Sequence, residues 1–219
     1  APEQILASSL TMEETTAFTA QVGCHAGDNA AVAAQCRYIF LGVKPQMMQG
    51  LLDSLRLLLA ARKTPCVLVT MAAGLTMADI RAIAGGSYPV IRIMPNTPVA
   101  VGQGVILYDV TENVTQEDLD GFCDTMRMGG LLDRLPEKLI DAGSAVSGSG
   151  PAFVAMFIEA MADGGVICGL PRQTALEYAA RTLIGTAELM LQSGDHPGKV
   201  KDAVCSPGGS TIQGVRALE

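Results

Sequence analysis

The first part of the chain alternates short apolar runs with longer amphipathic stretches, a pattern that predicts strands and helices in turn. The apolar runs predict strands over residues 4–8, 38–43, 66–71, 90–94, 105–108 and 131–135. Helices are predicted after Thr11, Thr76 and Thr115, because each is followed three positions later by an acidic residue that can complete a helix start. Near-continuous apolar strands joined by helices indicate a parallel sheet covered on both faces, in a doubly wound (Rossmann-type) α/β architecture.

One helix of this first part has a clear apolar stripe. Its members recur at helical spacing and are Met48, Leu51, Leu52, Leu55, Leu58 and Leu59. Lys44 and Pro45 stand between this helix and the preceding strand. The stripe predicts that the helix packs against the sheet.

The strand pattern ends near residue 137, so we expect an α/β domain over 1–137 and an all-helical domain over 138–219. The helical part carries two long apolar stripes. Their members are Phe153, Met156, Phe157, Ala160 and Met161, and then Leu176, Ala180, Leu183, Ile184, Ala187 and Leu191. Because this domain has long apolar faces and little bulk, we expect it to complete its core against a second copy of the chain.

The amino-acid composition and the net charge limit the kinds of partner that the protein can bind. The 219 residues are 49% hydrophobic, with 24 Gly, four Tyr, five Phe and no Trp, which indicates an aliphatic core. Fifteen Lys and Arg against 22 Asp and Glu give a formal charge of −7, the wrong sign for a surface that must neutralise many phosphates. We therefore expect no nucleic-acid partner.

The six cysteines form no Cys-x-x-Cys pair, so the sequence predicts reduced thiols and no metal site. No uninterrupted apolar run approaches the roughly 20 residues of a membrane helix, and the N-terminus lacks a signal-peptide pattern. We expect a cytoplasmic protein without a membrane partner. Because the chain starts at Ala1 and stops at Glu219 within a helical pattern, we also expect both ends to continue beyond this sequence.

Three short segments are unusually rich in Gly, Pro, Ser and Asn: residues 92–98, 147–151 and 206–211. The last two each lead into a predicted helix, whose free N–H groups and positive dipole end can bind an anion. The alternative for each segment is a simple turn with a helix cap. His25 and His196 are the only histidines, and His196 reads as a turn or helix-start residue, so a Ser-His-Asp site is not indicated. Lys44 faces either a cofactor at the carboxyl edge of the sheet or solvent.

Together these segments resemble pyrroline-5-carboxylate reductase. The matching stretches are residues 40–45, 71–74, 92–98, 147–152, 163–166, 169–172, 196–198 and 201–212. The resemblance implies a dinucleotide-binding domain over 1–137, without its first strand and Gly-rich loop, and a helical dimerisation and substrate domain over 138–219, without its C-terminal helices. It implies hydride transfer from NAD(P)H to a cyclic imine, which yields L-proline in the last step of proline biosynthesis, by a homodimer or larger homo-oligomer.

The resemblance also implies where the cofactor binds. Its adenosine and ribose side would contact Asn29, Val43, Lys44 and Pro45, and its nicotinamide would border Ala72, Ala73, Gly74, Pro95 and Asn96. Ser8 and Ser9 would lie at the position of a 2′-phosphate. Two hydroxyls, with no acidic residue to accept from a free ribose 2′-OH, favour NADPH, although NADH stays possible.

The implied substrate, 1-pyrroline-5-carboxylate, would lie at the junction of the two domains. Its carboxylate would contact the segment Ser206, Pro207, Gly208, Gly209, Ser210 and Thr211. The Thr211 hydroxyl would hydrogen-bond the ring nitrogen as the catalytic contact. This reaction asks for orientation and charge stabilisation more than for an acid–base side chain.

Two alternatives stay open on the sequence. A related β-hydroxyacid-type dehydrogenase would need a catalytic Lys on its first long helix, whereas residues 151–192 contain no Lys. A non-catalytic truncated or degenerate homologue is the second alternative, because the family's Gly-rich phosphate loop is absent from this sequence. Gly194-Asp195 stands where some family members carry a carboxylate near the substrate, which leaves that contact open.

Overall fold

The structure, a computed structural model, describes all 219 residues, which form two compact units over Ala1–Pro151 and Ala152–Glu219. The strands all belong to the first unit. They are β1 (Leu6–Ala7), β2 (His25–Ala26), β3 (Tyr38–Leu41), β4 (Val67–Thr70), β5 (Val90–Pro95), β6 (Gly104–Val110) and β7 (Gly130–Arg134). β1 and β2 form a two-stranded parallel sheet, and the other five form a sheet in the order β3-β4-β5-β6-β7.

Ten α-helices accompany the strands. They are α1 (Met12–Val22), α2 (Asn29–Gln35), α3 (Met48–Ala60), α4 (Met77–Ala84), α5 (Gln116–Met126), α6 (Glu137–Ser147), α7 (Gly150–Ile167), α8 (Arg172–Ser193), α9 (Pro197–Ala203) and α10 (Ser210–Leu218). Short 3₁₀ turns cover Pro2–Gln4, Pro45–Met47, Thr97–Val101 and Arg127–Gly129.

Three helices of the first unit begin where the sequence predicts. The hydroxyls of Thr11, Thr76 and Thr115 accept hydrogen bonds from the backbone N–H groups three residues later. Thr76 also forms a complete capping box, because the Asp79 carboxylate accepts from the backbone N–H of Thr76 at 2.8 Å. These bonds satisfy N–H groups that a helix start otherwise leaves free.

The doubly wound fold predicted from the sequence is confirmed, with one correction in strand direction. β3, β4 and β5 are parallel neighbours, but β6 runs antiparallel to β5. The reason is the short connection over residues 96–103, since a parallel return needs a crossover of about a dozen residues or more. The first predicted strand is also shorter, because Pro2–Gln4 forms a 3₁₀ turn.

The five-stranded sheet has a core on each face. Along β4, Leu68 packs in a cluster with the buried faces of α3 and α4, whereas Val67 and Val69 pack with Phe122 of α5 on the opposite face. All four side chains of β4 are buried. This two-sided burial explains why the strand reads as an unbroken apolar run.

The unit over 152–219 has almost no core of its own. Its buried side chains are Ala162, Ala175 and Ala179. The Arg172 guanidinium pairs with the Asp163 carboxylate at 2.5 Å, and Gly165 lies so close to Ala175 that an added Cβ would come within 3.1 Å of the alanine methyl. An ion pair and a close Gly–Ala approach thus join α7 to α8.

The apolar stripe of α7 lies on the surface of this unit, and that of α8 is partly exposed. Phe153, Met156, Phe157 and Met161 are all exposed, and so are Ile184 and Leu191 on α8. Residues 137–167 are long and apolar enough to cross a membrane. Only 6% of their most apolar window is buried within the chain. The sequence reading missed this stretch because polar residues interrupt it, so it contains no unbroken apolar run.

Candidate functional site

The predicted cofactor residues share one position in the fold, because each follows the carboxyl end of a parallel strand. β3 is followed by Val43, Lys44 and Pro45, and β4 by Ala72, Ala73 and Gly74. β5 ends at Pro95 and is followed by Asn96. The two short strands β1 and β2 are followed by Ser8 and Ser9 and by Asn29, respectively. β3, β4 and β5 are parallel neighbours, so their three groups lie along one edge of the sheet. In open α/β sheets this edge is where ligands bind.

A cavity of about 350 Å³ lies beside the two-stranded sheet, and Ser8, Ser9 and Asn29 all line it. The Ser8 hydroxyl donates to the Asn29 side-chain oxygen at 2.8 Å. Asp28 caps α2, because its carboxylate accepts from the backbone N–H of Ala31 at 2.7 Å. The structure thus brings Asn29 together with Ser8, which stands 21 positions earlier in the sequence.

The structure also places a carboxylate here that the sequence reading missed. The Ser9 hydroxyl donates to Glu14 Oε2 at 2.8 Å, and the Ser9 backbone N–H donates to the Thr15 hydroxyl at 2.9 Å. The expectation that no acidic residue stands near Ser8 and Ser9 is therefore wrong. The spacing from Thr11 to Glu14 indicates a reciprocal helix cap. Only one of its two hydrogen bonds forms, from the Glu14 N–H to the Thr11 hydroxyl, because the Glu14 carboxylate accepts from Ser9 instead.

The edge formed by β3, β4 and β5 presents mainly backbone. Ala72 is buried and its N–H donates to the Thr70 hydroxyl at 3.3 Å, whereas Ala73 and Gly74 are exposed. Gly74 has φ +76, which glycine adopts without strain. Lys44 is exposed and adds a cation to this edge. Such an edge allows a flat ligand to approach the chain closely.

Asn96 has a role that the sequence did not reveal. Its side-chain oxygen accepts from the Val105 N–H at 2.8 Å, and its side-chain NH₂ donates to the Ser147 carbonyl at 2.9 Å. The amide therefore connects the end of β5, the start of β6 and the end of α6. Through these two hydrogen bonds, Asn96 fixes the segment 92–98 to neighbouring elements of the first unit.

The segment 147–151 forms a tight turn between α6 and α7. The N–H groups of Gly148 and Ser149 both donate to the Ser144 carbonyl, at 2.7 and 3.2 Å, and Pro151 has no N–H to offer. α6 ends at Ser147 and α7 begins three residues later. These two donors therefore close the C-terminus of α6, and the anion cradle expected at the start of α7 stays a prediction.

The segment 206–211 has a different geometry. Gly208 has φ +73, and the Gly209 N–H donates to the Ser206 carbonyl at 3.0 Å, which closes a tight turn before α10. Gly209 is the N-cap of α10 and provides no side-chain cap. The first N–H groups of α10 therefore lack the hydroxyl partner found at α1, α4 and α5. Thr211 is exposed in this first turn.

The titratable groups near these elements have mainly structural roles. His196 caps α9, with its Nδ1 accepting from the Gly198 N–H at 3.1 Å, so the helix-start prediction for it is confirmed. Hydrogen bonds from the Thr76 hydroxyl and N–H lower the pKa of the Asp79 carboxyl. All six cysteines are free, and burial raises the pKa of the Cys66 thiol, which makes it less reactive.

Comparison with known proteins covers the chain from end to end. A family model described as pyrroline-5-carboxylate reductase dimerisation matches residues 137–219. Pyrroline-5-carboxylate reductase of Escherichia coli K12 is 38% identical over 219 residues, which are 100% of this chain and 80% of that protein. The Glycine max enzyme of the same name is 41% identical over 191 residues, 87% of this chain and 68% of that protein.

Two solved structures are similar over the whole chain. Plasmodium falciparum pyrroline carboxylate reductase with NADP bound has a TM-score of 0.86 at 28% identity, covering 100% of this chain and 79% of that one. The 1-pyrroline-5-carboxylate reductase of Streptococcus pyogenes has a TM-score of 0.88 at 29% identity, with 100% and 82% covered.

Proposed function

Because this chain belongs to the pyrroline-5-carboxylate reductase family, we propose that it takes its hydride from NADPH and binds its substrate at residues 206–211. The protein is an oxidoreductase that reduces 1-pyrroline-5-carboxylate to L-proline with NAD(P)H, the last step of proline biosynthesis. It is a homo-oligomer, and the dimerisation family model covers its exposed apolar helices. Family membership sets aside the β-hydroxyacid-type dehydrogenase, and the named reductases that the chain matches favour an enzyme over a non-catalytic homologue.

The chain's own residues fit a nicotinamide dinucleotide. The cavity at Ser8, Ser9 and Asn29 falls within the usual range of about 300–1,000 Å³ for ligand pockets, and its hydroxyl and amide groups suit a ribose and a 2′-phosphate. The NADP bound in the Plasmodium falciparum relative supports NADPH over NADH. When bound, the cofactor supplies the hydride that reduces the C=N bond.

The neighbouring strand ends hold the rest of the cofactor in this proposal. Val43, Lys44 and Pro45 contact its adenosine and ribose side, with the Lys44 ammonium attracting phosphate. The nicotinamide borders Ala72, Ala73, Gly74, Pro95 and Asn96. The left-handed backbone at Gly74 supports a close approach to a flat ring, since no side chain stands there.

The observation that carries the substrate assignment is the start of α10. Its first N–H groups point out of a helix without a side-chain cap, so a substrate carboxylate can accept from Ser210 and Thr211. Ser206, Pro207, Gly208 and Gly209 form the turn that presents these donors. The Thr211 hydroxyl hydrogen-bonds the ring nitrogen and stabilises its protonated form. A protonated imine is already an electrophile, so orientation accounts for most of the rate.

The family model supports a division into a dinucleotide-binding domain over 1–137 and a dimerisation and substrate domain over 138–219. We also propose a cytoplasmic location. The apolar stretch 137–167 falls wholly within the dimerisation match, which supports an interface between copies rather than a membrane helix.

The test follows the absorbance of reduced nicotinamide in the presence of 1-pyrroline-5-carboxylate. We expect oxidation that depends on substrate, with kcat/KM higher for NADPH than for NADH. A blank without substrate corrects for slow chemical oxidation. A higher kcat/KM for NADH would overturn the cofactor preference, and unchanged turnover in the variant Thr211→Val would overturn the substrate contact.

A further inference from the structure

We propose that Glu14 is a specificity-determining residue that weakens binding of the 2′-phosphate and so limits the preference for NADPH over NADH. The inference rests on the proposed position of the adenosine ribose at Ser8, Ser9 and Asn29. It concerns a carboxylate that the structure places against the same serines.

The first argument is the direction of one hydrogen bond. A serine hydroxyl has a single proton, and that of Ser9 is donated to Glu14 Oε2 at 2.8 Å. While this bond persists, Ser9 offers only lone pairs to a phosphate oxygen, and two acceptors do not bind each other. A 2′-phosphate must therefore break this bond before Ser9 can donate to it.

The second argument is the charge around the serines. Two cavities, of about 350 and 380 Å³, share Ser8, Ser9 and Thr15 in their walls. Asp28 lines the first and Glu14 the second, and neither wall contains Lys or Arg. A phosphate bound there meets carboxylates without a neutralising cation, and this repulsion is screened but not removed by salt.

The third argument is what the same carboxylate offers to NADH. A free ribose 2′-OH donates a hydrogen bond, and an acidic side chain is its usual acceptor in dinucleotide-binding folds. Glu14 can accept from the 2′-OH and from Ser9 together, because a carboxylate has about four lone-pair sites. The Glu14 carboxylate thus weakens binding of the 2′-phosphate of NADPH and strengthens binding of the 2′-OH of NADH.

Binding of two probes to the full chain tests this without measuring turnover. The probes are ADP-ribose and its 2′-phosphorylated form, each titrated by calorimetry into the wild type and into Glu14→Gln. We expect the variant to bind the phosphorylated probe about three- to tenfold more tightly, because one unit of repulsion is lost. Its affinity for ADP-ribose should stay the same or fall. The gain should shrink as salt is raised.

Glu13→Gln is the matched control, because it removes the same charge from the preceding residue of α1. Glu13 lines neither cavity. Equal effects of the two variants would overturn the role of Glu14.

Ser8→Ala tests the proposed ribose position separately, since it removes the contact with Asn29. If Ser8→Ala leaves both affinities unchanged, the ribose position and the inference both fail. If it weakens binding while Glu14→Gln changes nothing, only the inference fails. Thermal unfolding followed by circular dichroism confirms that each variant is folded.

Discussion

The two units of this chain use apolar residues in opposite ways. The unit over 1–151 buries its large aliphatic side chains on both faces of a sheet, whereas the unit over 152–219 buries only Ala162, Ala175 and Ala179. Its Phe, Met, Ile and Leu side chains lie at the surface of the single chain. One unit completes its core with its own chain, and the other requires a second copy to do so.

Their helix starts differ in the same sense. α1, α4 and α5 of the first unit each begin with a Thr whose hydroxyl satisfies a backbone N–H. α10 of the second unit begins with Gly209, which has no side chain to do this. The three threonine starts satisfy a donor with a side chain of the first unit, whereas the start of α10 leaves its donors for a ligand. Stability and function are therefore separable by mutation.

The largest expected effect is on the exposed stripe of α7. In Phe157→Glu a charge replaces an aromatic ring at the centre of the apolar face, and its burial in a dimer would be strongly unfavourable. We expect monomers by light scattering and at least a hundredfold loss of activity. Leu57→Glu, at an 83% exposed position on α3, is the control and should leave assembly unchanged. A dimeric Phe157→Glu would show that this face is not the interface.

The next effect concerns the core of the first unit. Leu68 is fully buried in β4, and Leu68→Ala should lower the free energy of unfolding by about 2–5 kcal/mol, because it removes apolar contacts and leaves a cavity. Chemical denaturation measures this. Leu57→Ala provides the comparison and should change stability by less than about 0.5 kcal/mol. Similar losses in both variants would contradict the burial contrast.

A smaller effect is expected at the open helix start. Thr211→Val exchanges a hydroxyl for a methyl at an exposed position, so the fold should be retained. We expect kcat with saturating cofactor to fall about tenfold, or about 1.4 kcal/mol, because the hydrogen bond to the ring nitrogen is lost. Thr211→Ser keeps the hydroxyl and should restore most of the rate. Equal loss in both variants would assign the effect to packing.

How much the sequence predicts depends on the range of the interaction. Strand positions, threonine caps and apolar stripes follow from local spacing, and the structure has them close to where the pattern indicates. The direction of β6 was missed, because the predicted architecture ignored how short its connection to β5 is. A local pattern thus gives the elements more reliably than their pairing.

The site residues show the same limit. The strand ends of the cofactor edge follow from the chain order, but the Glu14 contact with Ser9 depends on a side-chain rotamer. Asn96 reaches Ser147 across 51 positions, which no spacing rule reveals. Segments 147–151 and 206–211 have similar compositions, yet the first also ends a helix, because Ser144 accepts from the N–H groups of Gly148 and Ser149.

The smallest effect concerns a helix cap of the first unit. The Thr115 hydroxyl accepts from the Asp118 N–H at 3.1 Å, and Thr115→Ala should lower the free energy of unfolding by about 1 kcal/mol. We expect kcat to stay unchanged, because α5 presents none of the proposed site residues. Thr115→Ser retains the cap and should recover the stability. A loss of activity in Thr115→Ala without loss of stability would mean that caps of the first unit also serve the reaction, and the separation of stability from function between the two units would then fail.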